Sequence, residues 1–384
     1  KTEKGHELTV DGVPFFVKGA VGWQRLDLLK EFGANALRCS PSMLDECAKN
    51  GLMALVGLPL GNPRHGFDYS DAGRVEKQRK LALDTVRQYK DHPALLVWNI
   101  GNEPEIHTTA EQRLPVWRYV ESLAQEIKAI DPNHPVICVV GGEYREMLHE
   151  IPEQCPSLDA VGLNSYADML TLPEDVRKQG YSGAYLVTEF GPRGHWQVEK
   201  TPWGMPIEDT STEKSAFYRR SYEAAVANQP NCLGSFTFLW AQKQEKTHTW
   251  YGMMLPDGSP IETVGAMREV WGVERGDWPS VGPLGIHRPD GERLRWAEGS
   301  ARSTVEFEID AVGGDADWDL RKDVADNPNV GGDREPDTPV LATYRGRRVE
   351  VRLPADPGSY RLFAYVRNGQ GRVATANLPI RVQP

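Results

Sequence analysis

Over roughly the first 270 residues, short unbroken apolar runs alternate with longer stretches whose apolar positions recur at helical spacing. The apolar runs predict strands at Phe15–Gly19, Ala34–Arg38, Met53–Leu58, Leu95–Ile100, Val136–Val140, Ala160–Leu163, Tyr185–Thr188 and Ser235–Leu239. The stretches between them predict helices, among them Arg25–Phe32, Met43–Asn50, Val75–Lys90, Glu111–Ile130, Thr212–Asn228 and Ile261–Trp271. Asp91-His92-Pro93 and Asp131-Pro132 stop two of these, because the residue before a proline is pushed out of the helical region. Strands that are apolar throughout, not alternating, belong to parallel sheets with helices outside and packed side chains inside. Eight of them predict an α/β fold, a (β/α)8 TIM barrel. The opening Glu7–Lys18 reads as a hairpin turning at Asp11-Gly12, whose second arm becomes the first barrel strand.

After Trp278 the pattern changes. Pro279 and Pro283 mark a linker, helical spacing disappears, and alternating runs take over at Thr304–Ile309, Arg347–Leu353, Ser359–Val366 and Arg372–Val382. Alternation punctuated by Gly and Pro predicts a C-terminal β-sandwich of immunoglobulin or fibronectin type. The expected domains are therefore residues 1–275, a catalytic barrel, and residues 276–384, an accessory sandwich. The acidic run Gly313–Asp319 lacks the spacing of an EF-hand, so a solvated loop is favoured over a calcium site.

Composition narrows the function. Hydrophobic residues make up 40% and charged residues 26% of 384, enough apolar material for a large core. The net charge is −10 with no basic stripe, which disfavours a nucleic-acid partner. No run reaches the ~18 apolar residues of a membrane span. The five cysteines include no CxxC pair, and they read as buried free thiols. His65, His195 and His248 have no metal-ligand spacing, so no metal is expected. The chain begins at Lys1, which is read as a removed leader or a trimmed terminus. A protein acting on polysaccharide is expected to be secreted or periplasmic.

In a barrel the C-terminal strand ends carry the chemistry. Here they present Arg38, then Asn102-Glu103, then Asn164-Ser165-Tyr166, then Glu189, and finally Trp240 followed by Gln242. Two carboxylates on the fourth and seventh strands face each other across a barrel mouth, and glycoside hydrolysis needs such a pair. Glu103 follows an apolar strand and precedes Pro104, a poorly solvated setting that suits a general acid. Glu189 needs nearby donors to stay ionised, and Arg38 and Tyr166 are the candidates. Three segments should overhang the mouth: Gly61–Tyr69 with His65, Gly194–Gly204 with Trp196 and Trp203, and Trp240–Trp250. Their aromatic rings either stack on sugar faces or pack the loops.

Leu96-Val-Trp-Asn-Ile-Gly-Asn-Glu-Pro104 and Leu186-Val-Thr-Glu-Phe-Gly191 resemble the two catalytic strands of clan A glycoside hydrolases. Val10–Gly19 and Gly33–Arg38 are similar to the barrels of family 2 enzymes, and the likeness spans about residues 7–272. The resemblance implies a retaining hydrolase with Glu103 as acid/base and Glu189 as nucleophile. It implies Asn102 on the 2-hydroxyl of the reacting sugar, Arg38 and Tyr166 on the nucleophile, and Trp240 as the platform beneath the sugar. Both steps of such a hydrolysis are carboxylate chemistry, so no cofactor is expected. A barrel at the start of the chain with a sandwich behind it looks more like small bacterial endo-β-glucanases. The substrate expected on that ground is a β-linked glucan, with β-1,3 linkages cut from within. A transglycosylase, an exo-acting β-glycosidase and a carbohydrate-binding protein on an inactive barrel remain as alternatives.

Overall fold

A computed structural model describes residues 5–142, 144–323 and 338–384. A two-stranded hairpin, β1 (Thr9–Val10) and β2 (Val13–Pro14), turns at Asp11 and Gly12, both of positive φ. Eight strands follow: β3 (Val17–Gly22), β4 (Ala36–Cys39), β5 (Met53–Leu58), β6 (Leu95–Asn102), β7 (Val136–Val140), β8 (Ala160–Asn164), β9 (Tyr185–Phe190) and β10 (Cys232–Trp240). They close into a parallel barrel in sequence order, with β10 beside β3. The expected barrel is therefore present, with β3 displaced from Phe15–Gly19. Phe15 is instead tied back to the hairpin, its N–H donating to Leu8 O at 2.8 Å. Leu8 itself joins the barrel core with Val17, Ala36, Leu55, Ile137 and Phe236. Burying these chains at about 25 cal/mol per Å² of apolar surface is the main term holding the barrel closed.

The connecting helices are α1 (Leu26–Glu31), α2 (Leu44–Lys49), α3 (Ala72–Tyr89), α4 (Ala110–Ile130), α5 (Tyr144–Met147), α6 (Glu150–Gln154), α7 (Leu172–Lys178), α8 (Ser211–Ala225) and α9 (Glu262–Val270). Thr109 and Gln112 form a capping box that starts α4. Helices α5 to α7 have no counterpart in the sequence pattern, being too short to show a period. Among the described residues, no helix is long and apolar enough to cross a membrane. Cys47, Cys138, Cys155 and Cys232 are buried free thiols, and Cys39 is half-buried.

The chain divides into two compact units, Lys1–Phe190 with Arg220–Phe238, and Gly191–Arg219 with Leu239–Pro384. The second unit contains β11 (Ser280–His287), β12 (Ala297–Ser300), β13 (Thr304–Val312), β14 (Ala316–Lys322), β15 (Val340–Arg345), β16 (Arg348–Arg352), β17 (Gly358–Arg367) and β18 (Val373–Gln383). These make a three-stranded sheet, β11-β13-β16, and a five-stranded sheet, β12-β18-β17-β14-β15. Phe307, Ile309 and Val351 of the first sheet share one core with Trp318, Leu362 and Ile380 of the second, so the pair is a β-sandwich.

Two expectations are corrected here. Pro283 lies within β11, not in a linker; β11 is an edge strand whose register shifts between Val281 and Ile286, where proline is tolerated. The acidic run to Asp319 is partly strand β14, with Trp318 buried at its centre. Asp319 accepts from the Tyr365 hydroxyl at 3.0 Å and pairs with Arg321 at 2.8 Å, so its partners are side chains of the sandwich.

One buried ion pair ties the second unit together. Lys214 on α8 donates to Glu208 at 2.5 Å and to the carbonyls of Thr249 and Trp250, and Thr247 and Thr249 donate to the same carboxylate. Burial pushes the Glu208 carboxyl up, but the Lys214 ammonium and the Thr247 hydroxyl outweigh it and hold it below its ordinary value. As pH falls, the unfolded chain takes up this proton first. The pair's contribution is thus complete above the ordinary glutamate range and is lost as pH drops through the folded value. Lys214→Met leaves Glu208 charged and unpaired, and should cost about 3–5 kcal/mol in denaturant unfolding, with partial recovery in Lys214→Met/Glu208→Leu.

Candidate active site

The end of β6 turns sharply. Gly101 and Glu103 both have left-handed backbone, with φ of 75° and 48°. Such a conformation costs a non-glycine residue about 1–3 kcal/mol and persists only where its surroundings impose it. Here Glu103 N–H donates to Val139 O at 2.8 Å, and Asn62 Nδ2 donates to Glu103 O at 2.7 Å. A Cβ on Gly101 would sit 2.2 Å from Leu60. At the end of β7, a Cβ on Gly141 would lie 3.0 Å from Glu103 Oε1 and 2.6 Å from Ile106. Glycine there leaves the room that the Glu103 side chain occupies.

The ends of β4, β6, β8 and β9 converge on one network. From β4, Arg38 Nη1 donates to Glu189 Oε1 at 2.9 Å and to Thr188 O at 3.0 Å, while its Nη2 donates to Asn102 Oδ1 at 2.6 Å. From β8, Asn164 Nδ2 donates to Glu103 Oε1 at 2.9 Å and to Asn102 Oδ1 at 3.1 Å. Its Oδ1 accepts from the Thr188 hydroxyl at 2.8 Å. Just past β8, the Tyr166 hydroxyl donates to Glu189 Oε2 at 2.9 Å. Asn164 therefore touches Glu103 directly and joins Glu189 through Arg38, whose Nη1 lies 3.4 Å from Asn164 Oδ1. With Asn102 Oδ1 accepting twice, its amide N–H groups are left for a ligand.

The two carboxylates have different surroundings. Glu189 accepts from a guanidinium and a phenol, donors that favour a charged oxygen. Glu103 accepts from the Asn164 amide and makes a looser 3.4 Å contact with Arg64, from the segment after β5. Beside them lies a cavity of about 430 Å³, lined by Arg38, Leu60, Asn62, Arg64, His65 and Asn102 among others. A cavity of that size suits a small ligand such as one sugar ring.

Of the residues expected at the site, Arg38, Asn102, Glu103, Asn164, Tyr166 and Glu189 come together, and His65 lines the cavity beside them. The aromatic residues fare differently. Trp240 is fully buried, 6.4 Å from the Trp271 ring, and Trp250 is 2% exposed with Nε1 donating to Arg193 O at 3.0 Å. Neither offers a face to a sugar, because each fills a core position of the second unit. Trp196 is exposed, with the His195 ring edge-on at 4.9 Å. Trp203 lines a groove of about 390 Å³ with Glu298 and Arg381, and Gln242 is half-buried in the segment after β10. His195 and Lys243 flank Glu245 at 3.7 and 2.7 Å. Burial raises the Glu245 carboxyl, and these two neighbours more than reverse it.

Three participants went unselected in the sequence. Thr188 fixes both Arg38 and Asn164. Phe238 on β10 sets its ring 6.1 Å from that of Tyr166 at 84°, so it is the aromatic of this strand that reaches the network. Its signal was present, since it stands two residues before Trp240 and shares its parity. Arg64 follows Asn62-Pro63, a capped turn that aims the next side chain.

A closed parallel barrel with a carboxylate at the ends of its fourth and seventh strands is the arrangement that the resemblance to clan A glycoside hydrolases implies. Residues 20–196 match the model for "Glycosyl hydrolases family 2, TIM barrel domain". The curated relatives include β-glucuronidases of Felis catus, 27% identical over 187 residues, and Homo sapiens, 24% identical over 184. Each match takes in 42% of this chain and 26% of the relative, so the chain matches about a quarter of the length of those proteins. Among solved structures, a Bacteroides uniformis β-glucuronidase superposes with a TM-score of 0.55 at 16% identity, over 100% of this chain and 48% of its own. A family 5 mannosidase from Rhizomucor miehei superposes at 0.51 and 15% identity, over 70% of this chain and 96% of its own. These structural likenesses show the fold.

Proposed function

We propose that the chain is a retaining, exo-acting β-glycosidase of β-glucuronidase type, with Glu103 as acid/base and Glu189 as nucleophile. The observation that carries this reading is the network through Arg38 and Asn164, which links the two carboxylates and gives each a different set of donors. In the first step Glu103 gives its proton to the glycosidic oxygen while Glu189 attacks carbon one, and the aglycone leaves as an alcohol. Arg38 and Tyr166 hold Glu189 ionised for that attack. In the second step Glu103 takes a proton from water, which attacks carbon one and releases the sugar with its configuration retained. Both steps are carboxylate chemistry and call for no cofactor. Asn102 donates to the 2-hydroxyl, and Phe238 offers the sugar an aromatic surface in place of Trp240. The left-handed backbone at Glu103 supports a functional role, since such strain concentrates at active sites.

The substrate reading follows the relatives, all β-glucuronidases among those described from the curated proteins, and the compact cavity, which suits one terminal ring. The endo-acting β-1,3-glucanase expected from domain order finds no support among them. We assign the sandwich to the immunoglobulin or fibronectin type, with the role of bracing the segments after β9 and β10. Arg361 donates to Pro206 O at 2.9 Å, and Thr375 N–H to Ser211 Oγ at 2.9 Å, in support of that role.

A panel of p-nitrophenyl β-glycosides, with a soluble β-1,3-glucan alongside, tests the reading. The β-glucuronide should be cleaved at least ~10²-fold faster in kcat/KM than the β-glucoside, with no oligosaccharide released from the glucan. A ladder of oligosaccharides from the glucan with no turnover of the glucuronide would overturn it.

A further inference from the structure

Arg38 and Arg64 both line the cavity beside the carboxylates, but they are committed differently. Arg38 is spent on Glu189, Asn102 and Thr188 O at 2.6–3.0 Å. Arg64 makes two long contacts, Nη2 to Glu103 Oε2 at 3.4 Å and Nε to His65 Nε2 at 3.3 Å. Its Nη1 has no partner among the described residues. The backbone beneath it is nonetheless well fixed. Asn62 Oδ1 accepts from Arg64 N–H at 3.0 Å while its Nδ2 holds Glu103 O. Tyr69 donates to Gly61 O at 2.7 Å, Gln78 accepts from Gly61 N–H, and Arg74 donates to Gly66 O at 3.2 Å. A rigid loop thus carries a guanidinium with donors to spare into a ligand-sized cavity.

We propose that Arg64 is the specificity residue that takes the carboxylate of a uronosyl unit, an inference that rests on the uronide reading above. The planar fork of an arginine matches a carboxylate in a way a hydroxymethyl group does not. The resting contact with Glu103 fits the same role. A general acid must hold its proton when substrate is bound, and a neutral Glu103 has no charge for Arg64 to pair with. The substrate carboxylate then supplies the missing partner, and its own negative charge meets a neutral carboxyl instead of a carboxylate. A neutral hexoside brings no such partner and gains nothing from Arg64.

Binding of two non-hydrolysed probes, phenyl 1-thio-β-D-glucuronide and phenyl 1-thio-β-D-glucoside, separates the possibilities by calorimetric titration of the full chain. The wild-type protein should prefer the glucuronide by about 10- to 100-fold, the range for hydrogen bonds to a charged group. Arg64→Ala should lose that preference while its affinity for the thioglucoside changes less than about threefold. Arg64→Lys should keep part of it, and Arg64→Gln, which keeps the side-chain bulk, should behave as Arg64→Ala. A preference intact in Arg64→Ala and Arg64→Gln overturns this inference and leaves the uronide reading standing. Equal losses for both probes also overturn it, since that pattern marks a structural role. No preference in the wild-type protein overturns both.

Discussion

Glu189→Gly should reduce turnover of a β-glucuronide by at least ~10⁴-fold, the loss that follows removal of one member of a catalytic unit. Added azide should restore a substantial part of the rate and yield the α-glycosyl azide, readable by proton NMR. The reasoning is geometric. Arg38 and Tyr166 hold the Glu189 oxygens at 2.9 Å each, so deleting the side chain leaves a small cavity beside two donors. An anion of azide's size fits that cavity and attacks carbon one from the nucleophile's side, with inversion. A β-configured azide, or rescue by azide of Glu103→Ala alone, would exchange the two roles.

Glu103→Ala should show a loss that depends on the leaving group. For an alkyl aglycone, which departs as a strongly basic alkoxide unless protonated, kcat/KM should fall by ~10²–10⁴-fold. For a dinitrophenyl aglycone, which needs no proton, it should change little. The second step still lacks its general base, so the dinitrophenyl substrate should give a burst of released phenol followed by slow turnover. Stopped-flow absorbance checks both limbs. A loss of the same size for all leaving groups would show that Glu103 positions the substrate and does not protonate it.

Much of this site was legible in the sequence because barrel geometry converts strand order into position. Met53–Leu58 and Val136–Val140 are apolar at each step and lie where expected, since burial on both faces leaves no alternation to misread. Once the strands are placed, the polar residues at their ends must meet, and Arg38, Asn102, Glu103, Asn164, Tyr166 and Glu189 do. What failed depended on contacts distant in sequence. Trp240 ends an apolar strand just as a platform residue would, and only packing against Trp271 shows it to be core. Trp318 sits among aspartates that read as a solvated loop, until Arg321 is seen to pair with Asp319 and Tyr365 to donate to it. The substrate was not legible, for another reason. Domain order suggested a glucanase, but discrimination between a uronide and a glucoside depends on where a side chain such as Arg64 is aimed, and a loop's path is not written in its periodicity.

The central claim is a covalent glycosyl intermediate on Glu189. The most direct measurement is to incubate the wild-type protein with 2-deoxy-2-fluoro-β-D-glucuronyl fluoride, digest it with protease, and locate the adduct by tandem mass spectrometry. The account predicts time-dependent inactivation with one fluoroglycosyl group per chain, attached to the peptide that contains Glu189. An adduct on Glu103, or turnover of β-glucuronides to the inverted product with no adduct anywhere, would contradict it.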